Sequence, residues 1–77
     1  MKFKNIFITG STGVVGKPIF LKLINQGHNV FALSRNTKNE DFIRTNKAEV
    51  VSGDLFSENI YSQLKDKSID AIFHVAG

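Results

Sequence analysis

Apolar and polar residues form blocks along the chain that predict strands and helices in alternation. A near-continuous apolar run such as Ile6–Ile8 is typical of a parallel strand that is buried on both faces. Apolar residues three or four positions apart, as in Ile19, Phe20, Leu23 and Ile24, predict a helix with one buried face. This pattern predicts strands at residues 3–9, 29–34, 48–52 and 70–75, and helices at residues 14–26, 40–46 and 58–67.

Proline and glycine place the ends of the first helix. Pro18 is tolerated only in the first turn of a helix, so regular helix should begin around Gly16–Pro18. Gly27 follows the last apolar position and is predicted to cap the carboxyl end. Residues 36–39 are polar and are predicted to form a turn.

Strands that are joined by helical crossovers predict an α/β fold with a parallel sheet and right-handed connections. We predict a partial Rossmann (doubly wound) sheet with strand order 3-2-1-4 and helices on both faces. No repeat, linker or low-complexity segment interrupts the pattern, so residues 1–77 should form the N-terminal half of one dinucleotide-binding domain.

A glycine-rich turn follows the first predicted strand. Residues Thr9–Gly16 read Thr-Gly-Ser-Thr-Gly-Val-Val-Gly and lead into the first predicted helix. Glycine permits a tight turn and a close backbone approach to a pyrophosphate, and the helix N-terminus directs N–H groups at the same anion. Strand, turn and helix in this order therefore predict a dinucleotide phosphate site.

The composition excludes several classes of function. The 77 residues include no cysteine, which excludes disulfides and thiolate metal sites, and no spaced His or acidic cluster predicts a metal site. The net charge of +3 comes from scattered lysines, which argues against nucleic-acid binding. No stretch approaches the roughly 20 apolar residues of a membrane helix, so we predict a soluble, cytoplasmic chain without membrane contact.

Four motifs together resemble the N-terminal part of the short-chain dehydrogenase/reductase superfamily, in its extended or atypical branches. They are Thr9–Gly16, the Gly-His-Asn-Val of Gly27–Val30, the Gly-Asp-Leu of Gly53–Leu55 and the His-Val-Ala-Gly of His74–Gly77. The resemblance covers the whole chain but only about the first third of such proteins. It implies an oxidoreductase, epimerase or dehydratase that uses a nicotinamide dinucleotide. A non-enzymatic dinucleotide-binding sensor, or a truncated remnant, remains the alternative.

The resemblance also implies which residues bind the cofactor. Asp54 and Leu55 would contact the adenine, and Val75, Ala76 and Gly77 would approach the adenine ribose. The complete predicted set is Gly10, Ser11, Thr12, Gly13, Val14, Val15, Gly16, Ser34, Arg35, Asp54, Leu55, Val75, Ala76 and Gly77.

Arg35 is the residue on which the expected choice between NADP and NAD depends. Enzymes that prefer NAD place an acid just after the second strand, whereas an arginine there accommodates the 2′-phosphate of NADP. The sequence has Ser34 and Arg35 at this point, with Lys38 nearby, and its next acids are Glu40 and Asp41. We therefore favour NADP, with NAD as the alternative.

No residue of this chain is predicted to be catalytic. Tyr61 and Lys65 have the Tyr-x-x-x-Lys spacing of the superfamily's active site, but they lie between the third and fourth strands rather than after a fifth. We expect that helix on the outer face of the sheet, with Tyr61 packed on the sheet and Lys65 solvated. His28 is predicted to be structural or solvated, and His74 to be a packed structural residue. The apolar edge of the fourth strand, residues 70–75, predicts self-association.

Overall fold

Strands and helices alternate along the chain in the computed structural model, which describes residues 4–34, 37–53 and 58–75. The predicted order of elements is confirmed. The elements are β1 (Asn5–Thr9), α1 (Gly16–Asn25), β2 (Asn29–Ser34), α2 (Thr37–Thr45), β3 (Glu49–Ser52), α3 (Glu58–Leu64) and β4 (Ala71–His74). Within these ranges, no helix is long and apolar enough to cross a membrane.

The strands form one parallel sheet in the order β3-β2-β1-β4, as predicted. Ile6 of β1 lies beside Val30 of β2 on one side and beside Ala71 of β4 on the other. All carboxyl ends of the strands therefore lie along one edge of the sheet, which is where ligands bind in folds of this type.

The sheet carries helices on both faces, because alternate residues of each strand point in opposite directions. Ile6 and Ile8 of β1 pack with Phe20 and Leu23 of α1 and with Ile43 of α2. The intervening residues face α3: Phe7, Phe31 and Val51 pack with Ile60. The prediction of helices on both faces is thus correct, with α1 and α2 on one side and α3 on the other.

Helix α1 begins at Gly16, within the predicted range, and Pro18 lies in its first turn. It ends in a Schellman motif: the Gly27 N–H donates to the Ile24 carbonyl at 3.0 Å, and the His28 N–H donates to the Leu23 carbonyl at 3.3 Å. Gly27 has φ of +87°, which explains the glycine at this position.

Helix α2 begins at Thr37, earlier than predicted, and the polar turn predicted at residues 36–39 is wrong from Thr37 onward. The polar first turn is compatible with helix because Glu40 lies within it and forms an ion pair with Arg44 at 3.1 Å. Buried Ile43 supplies the apolar anchor. The helix ends in a second Schellman motif, in which Lys47 adopts φ of +65°.

Helix α3 ends at Leu64, three residues before the predicted boundary at 67. The backbone turns at this point, where the Lys67 N–H donates to the Leu64 carbonyl at 3.0 Å. The strand boundaries agree with the prediction to within one residue at β3 and β4 and are the same at β2.

Candidate functional site

The glycine-rich turn lies at the carboxyl edge of the sheet, between β1 and α1. Its backbone closes on itself, because the Gly13 N–H donates to the Gly10 carbonyl at 3.2 Å and the Lys17 N–H donates to the Gly13 carbonyl at 3.0 Å. The turn thus presents a defined backbone surface directly before the N-terminus of a ten-residue helix.

Two of its three glycines are required by the fold itself. Gly10 has φ of +73°, and a Cβ atom there would collide with the carbonyl oxygen of Val75, beyond the end of β4. A Cβ atom at Gly16 would collide with the carbonyl oxygen of Gly10. Gly10 therefore packs the turn against β4, and Gly16 packs the start of α1 against the turn.

Gly13 has no such internal reason to be glycine. Its φ lies outside the left-handed region, and among the described residues a Cβ atom there would meet only the Gly10 carbonyl oxygen, at an ordinary contact distance of 3.5 Å. Alanine would therefore fit without strain. Glycine at a position that the fold does not restrict leaves the backbone open to a molecule that approaches it closely, as a pyrophosphate does in dinucleotide sites.

The N-terminus of α1 lacks the groups that normally neutralise it. Val15 is the N-cap residue and makes no side-chain capping bond, and the first turn contains no acidic residue but does contain Lys17. By contrast, α2 has Glu40 in its first turn. The first N–H groups of a helix have no intrahelical partner, so this end of α1 can bind an anion.

The side chains of the turn divide into exposed and buried ones. Thr12 is exposed, and the apolar side chains of Val14 and Val15 are 94% and 60% exposed. Ser11 is only 1% exposed, and its hydroxyl has no hydrogen-bond partner among the described residues. An exposed apolar pair beside an unsatisfied polar atom is an arrangement that a bound ligand would improve.

Thr9, the last residue of β1, ties the end of β4 to the turn. Its hydroxyl lies 2.8 Å from Nδ1 of His74 and accepts from the Val75 N–H at 3.2 Å. This contact links His74 to β1, which is compatible with the predicted structural role, but the prediction that His74 is packed is wrong, because the residue is exposed. The sequence analysis assigned Thr9 no role in the site. Its hydroxyl, directly before the first glycine of the turn, was the sequence feature that could have indicated one.

Two other predicted binding residues, Ser34 and Val75, lie at the same carboxyl edge. Ser34 ends β2 and is buried, and Val75 follows β4 and is half-buried. Lys38 is exposed in the first turn of α2. The remaining predicted residues lie outside the described part of the chain: Arg35, Asp54, Leu55, Ala76 and Gly77.

Tyr61 and Lys65 do not lie on one helix. Lys65 lies beyond the end of α3 and is exposed, as predicted, while the side chain of Tyr61 lies outside the described set. Helix α3 packs through Ile60 and Leu64 on the face opposite α1. His28 accepts from the Lys4 N–H through Nδ1 at 3.1 Å, at the amino edge of the sheet, away from the turn.

The described residues hold no group of three His, Cys, Asp or Glu side chains able to bind a metal ion. At the carboxyl edge, the described residues instead offer backbone N–H groups, glycines and hydroxyls. That chemistry agrees with a family-level match: residues 6–77 match the sequence pattern described as the NAD dependent epimerase/dehydratase family. The chain belongs to this family. Members of the epimerase/dehydratase family depend on a nicotinamide dinucleotide, which fits a glycine turn before an uncapped helix.

Two curated relatives of this family member match nearly all of the chain. A sterol-4-alpha-carboxylate 3-dehydrogenase, decarboxylating, of Dictyostelium discoideum is 36% identical over 73 residues, which is 95% of this chain and 22% of that protein. A "Putative dihydroflavonol 4-reductase" of Synechocystis sp. is 34% identical over 70 residues, 91% of this chain and 20% of that protein. The chain therefore spans about a fifth of the length of these relatives.

A solved structure of an SsCR variant has the same fold. It superposes with a TM-score of 0.72 at 15% sequence identity, over 99% of this chain and 25% of that one. The superposition supports the partial parallel sheet and its strand order.

Proposed function

We propose that the turn from Gly10 to Gly16 binds the pyrophosphate of a nicotinamide dinucleotide, with NADP preferred over NAD. The observation that carries the proposal is Gly13, which is a glycine without an internal steric or conformational reason. A side chain there would project into the space in front of the turn, where a backbone-bound phosphate must lie.

Three properties of the turn support an anionic ligand. The N-terminus of α1 has neither a side-chain cap nor an acid, and Lys17 adds a positive charge to its first turn. A cation at this end opposes the helix dipole, so its presence is a cost to the isolated helix that an anion would offset. Ser11 and Thr12 add hydroxyls to the same turn, and Val14 and Val15 give it an apolar cover.

The preference for NADP depends on Arg35. The sequence has this arginine directly after buried Ser34, at the end of β2, with no acid before Glu40. A guanidinium is a bidentate partner for phosphate, whereas NAD-selective sites of this fold use a carboxylate for the ribose hydroxyls. Lys38, exposed in the first turn of α2, adds a second cation to that region.

The adenine side of the site would be completed by residues after β3 and β4. We assign Asp54 and Leu55 to the adenine, and Val75, Ala76 and Gly77 to the adjoining ribose. Support comes from topology, since β3 and β4 end at the same edge of the sheet as the glycine turn.

We assign the chain a cofactor-binding role in an oxidoreductase, epimerase or dehydratase. The nicotinamide would supply the hydride chemistry, while residues of this chain hold its phosphates and adenosine. A non-enzymatic binding module is the second candidate for the chain alone. The position of α3 favours it, because Tyr61 belongs to a helix on the face opposite α1 and Lys65 lies beyond that helix.

Cofactor choice tests this assignment. We expect Arg35→Ala to weaken NADP binding by about 1.5–3 kcal/mol, the contribution of a charge-assisted hydrogen bond, and to change NAD binding little. Arg44→Ala is the matched control, because Arg44 is exposed in the last turn of α2 and forms its ion pair with Glu40. Calorimetric titration of both cofactors against the three proteins gives the comparison. Equal losses for NADP and NAD in Arg35→Ala would contradict the preference.

A further inference from the structure

Lys17 and Phe42 form a contact between the first turn of α1 and α2. The ammonium nitrogen of Lys17 lies 4.9 Å from the centroid of the Phe42 ring, within the range of a cation–π interaction. The ring is held in place, because Phe42 packs against the core on this face of the sheet and its centroid lies 5.5 Å from that of Phe20. The contact therefore directs the Lys17 side chain from α1 towards α2.

The charge of Lys17 has no carboxylate partner among the described residues. The ion pairs within that part of the chain join Arg44 to Glu40 and Lys67 to Glu49. An aromatic ring attracts an ammonium group but does not neutralise it, and Lys17 remains exposed. Because the residue lies in the first turn of α1, its charge also opposes the positive end of the helix dipole. An anion that approaches from solvent would stabilise such a cation.

A second lysine lies on the same face of α2 as the ring. Lys38 is four residues before Phe42 in the helix, so both residues lie on the side of α2 that meets Lys17. Lys38 is exposed and has no carboxylate partner within the described ranges. Both lysines belong to first turns of helices that begin at the carboxyl edge of the sheet. The two cations therefore share the space between the start of α1 and the start of α2.

Strand β2 lies beneath this space, because α1 and α2 both pack against it. The carboxyl end of β2 is the point at which dinucleotide sites of this fold distinguish the 2′-phosphate of NADP from the free hydroxyl of NAD. A lysine that served the pyrophosphate would lie over the glycine turn, whereas Lys17 extends towards α2. The direction of the side chain therefore favours the 2′-phosphate.

We propose, on the basis of the proposed function, that Lys17 is a specificity-determining residue that binds the 2′-phosphate of NADP. Phe42 holds the Lys17 side chain on the α2 side of α1, so the side chain loses less conformational freedom when the phosphate binds. Lys17 thus adds a charge from α1 to those that Arg35 and Lys38 contribute from the region after β2.

Titration of the whole chain with both cofactors tests this role. Lys17→Met keeps an apolar stem against Phe42 and removes the charge, so NADP should bind at least about tenfold weaker, as expected for loss of a charge-assisted hydrogen bond. Binding of NAD should change less than about twofold. Lys17→Arg should retain the preference for NADP. Lys22→Met is the matched control, because Lys22 is exposed in the last turn of the same helix and its variant should bind both cofactors as wild type does.

The outcomes separate this inference from the proposed function. If wild type prefers NADP, equal weakening of NADP and NAD in Lys17→Met would assign Lys17 to the pyrophosphate and overturn the inference alone. Unchanged NADP affinity in a folded Lys17→Met protein would also overturn it alone. A wild type that binds neither cofactor would contradict the proposed function together with this inference. Thermal unfolding of each variant checks the fold, because a lysine that merely packs on Phe42 would change stability without changing the ratio of the two affinities.

Discussion

The polar groups at the two ends of the sheet differ in whether they find hydrogen-bond partners within the described part of the protein. At the amino end, Asn5 is the centre of a network: its side-chain nitrogen donates to the Lys67 carbonyl at 2.7 Å, and its oxygen accepts from Asn29 at 3.0 Å. Its backbone N–H donates to Asp70, and the neighbouring Lys4 N–H donates to His28. Polar groups here bind one another and join strands that are distant in sequence.

At the carboxyl end, several groups lack such partners among the described residues. The hydroxyl of Ser11 is buried without a described partner, α1 begins without a side-chain cap, and Val14 is almost fully exposed. Gly13 has the smallest possible side chain where a larger one would fit. Each property is unfavourable or neutral for folding, and under the proposed function each would become favourable when a phosphate-bearing ligand binds.

This difference separates residues that stabilise the fold from residues to which we assign a binding role. Thr9, Gly10 and Gly16 lie at the carboxyl end but serve the fold, through hydrogen bonds or close packing. Ser11 and Gly13 lie among them, but neither the Ser11 hydroxyl nor the missing side chain of Gly13 has an evident role in the fold. On the proposed function, the cofactor site would consist of a few unsatisfied positions supported by a well-satisfied frame.

The largest expected loss of stability comes from a substitution at Gly16. A methyl group there would overlap the Gly10 carbonyl, so Gly16→Ala should destabilise the chain by about 3 kcal/mol or more and largely unfold it. Urea unfolding followed by circular dichroism measures this, with Gly13→Ala as the matched control that should remain folded. A stable, native-like Gly16→Ala protein would show that the tight helix–turn contact is not required.

An intermediate loss is expected at the amino end. Asn5→Ala removes the side-chain bonds to Lys67 and Asn29, and should lower the free energy of unfolding by about 1–2 kcal/mol. Asn25→Ala, on the exposed last turn of α1, is the control and should change stability by less than about 0.5 kcal/mol. Similar losses of stability for both variants would show that Asn5 is not the centre of a stabilising network.

A small gain is expected at Ser11. Because its hydroxyl is buried without a described partner, Ser11→Ala should raise the stability of the ligand-free chain by about 1 kcal/mol. Thermal unfolding of the two proteins without cofactor gives this value. A loss of stability instead would mean that the hydroxyl is already satisfied in the ligand-free protein, and the contrast between the two ends would weaken.

Much of the fold follows from local sequence, because strand and helix periods differ clearly in this chain. The run Asn29–Ser34 defines β2, and Gly27 marks the end of α1 through its left-handed conformation. The start of α2 was harder to predict. Thr37–Asn39 are polar in every direction, and the helix depends there on the Glu40–Arg44 pair and on burial of Ile43, which is a tertiary effect.

The site was predictable as a segment but not residue by residue. The spacing of Gly10, Gly13 and Gly16 indicates a phosphate turn, yet it assigns the same role to all three. Only the close approaches to the Val75 and Gly10 carbonyls separate the two packing positions from Gly13. Likewise, the sequence includes Ser11 without indicating that its hydroxyl is buried and unpaired.

The most direct test of the proposed site is Gly13→Ala, measured twice on the same preparation. The Cβ atom has room within the protein, so the thermal unfolding midpoint should remain close to that of wild type. Titration with NADP should nevertheless show binding at least about tenfold weaker, a loss of about 1.4 kcal/mol or more, because the methyl group keeps the pyrophosphate from the backbone. A folded Gly13→Ala protein that binds NADP as tightly as wild type would contradict the central claim.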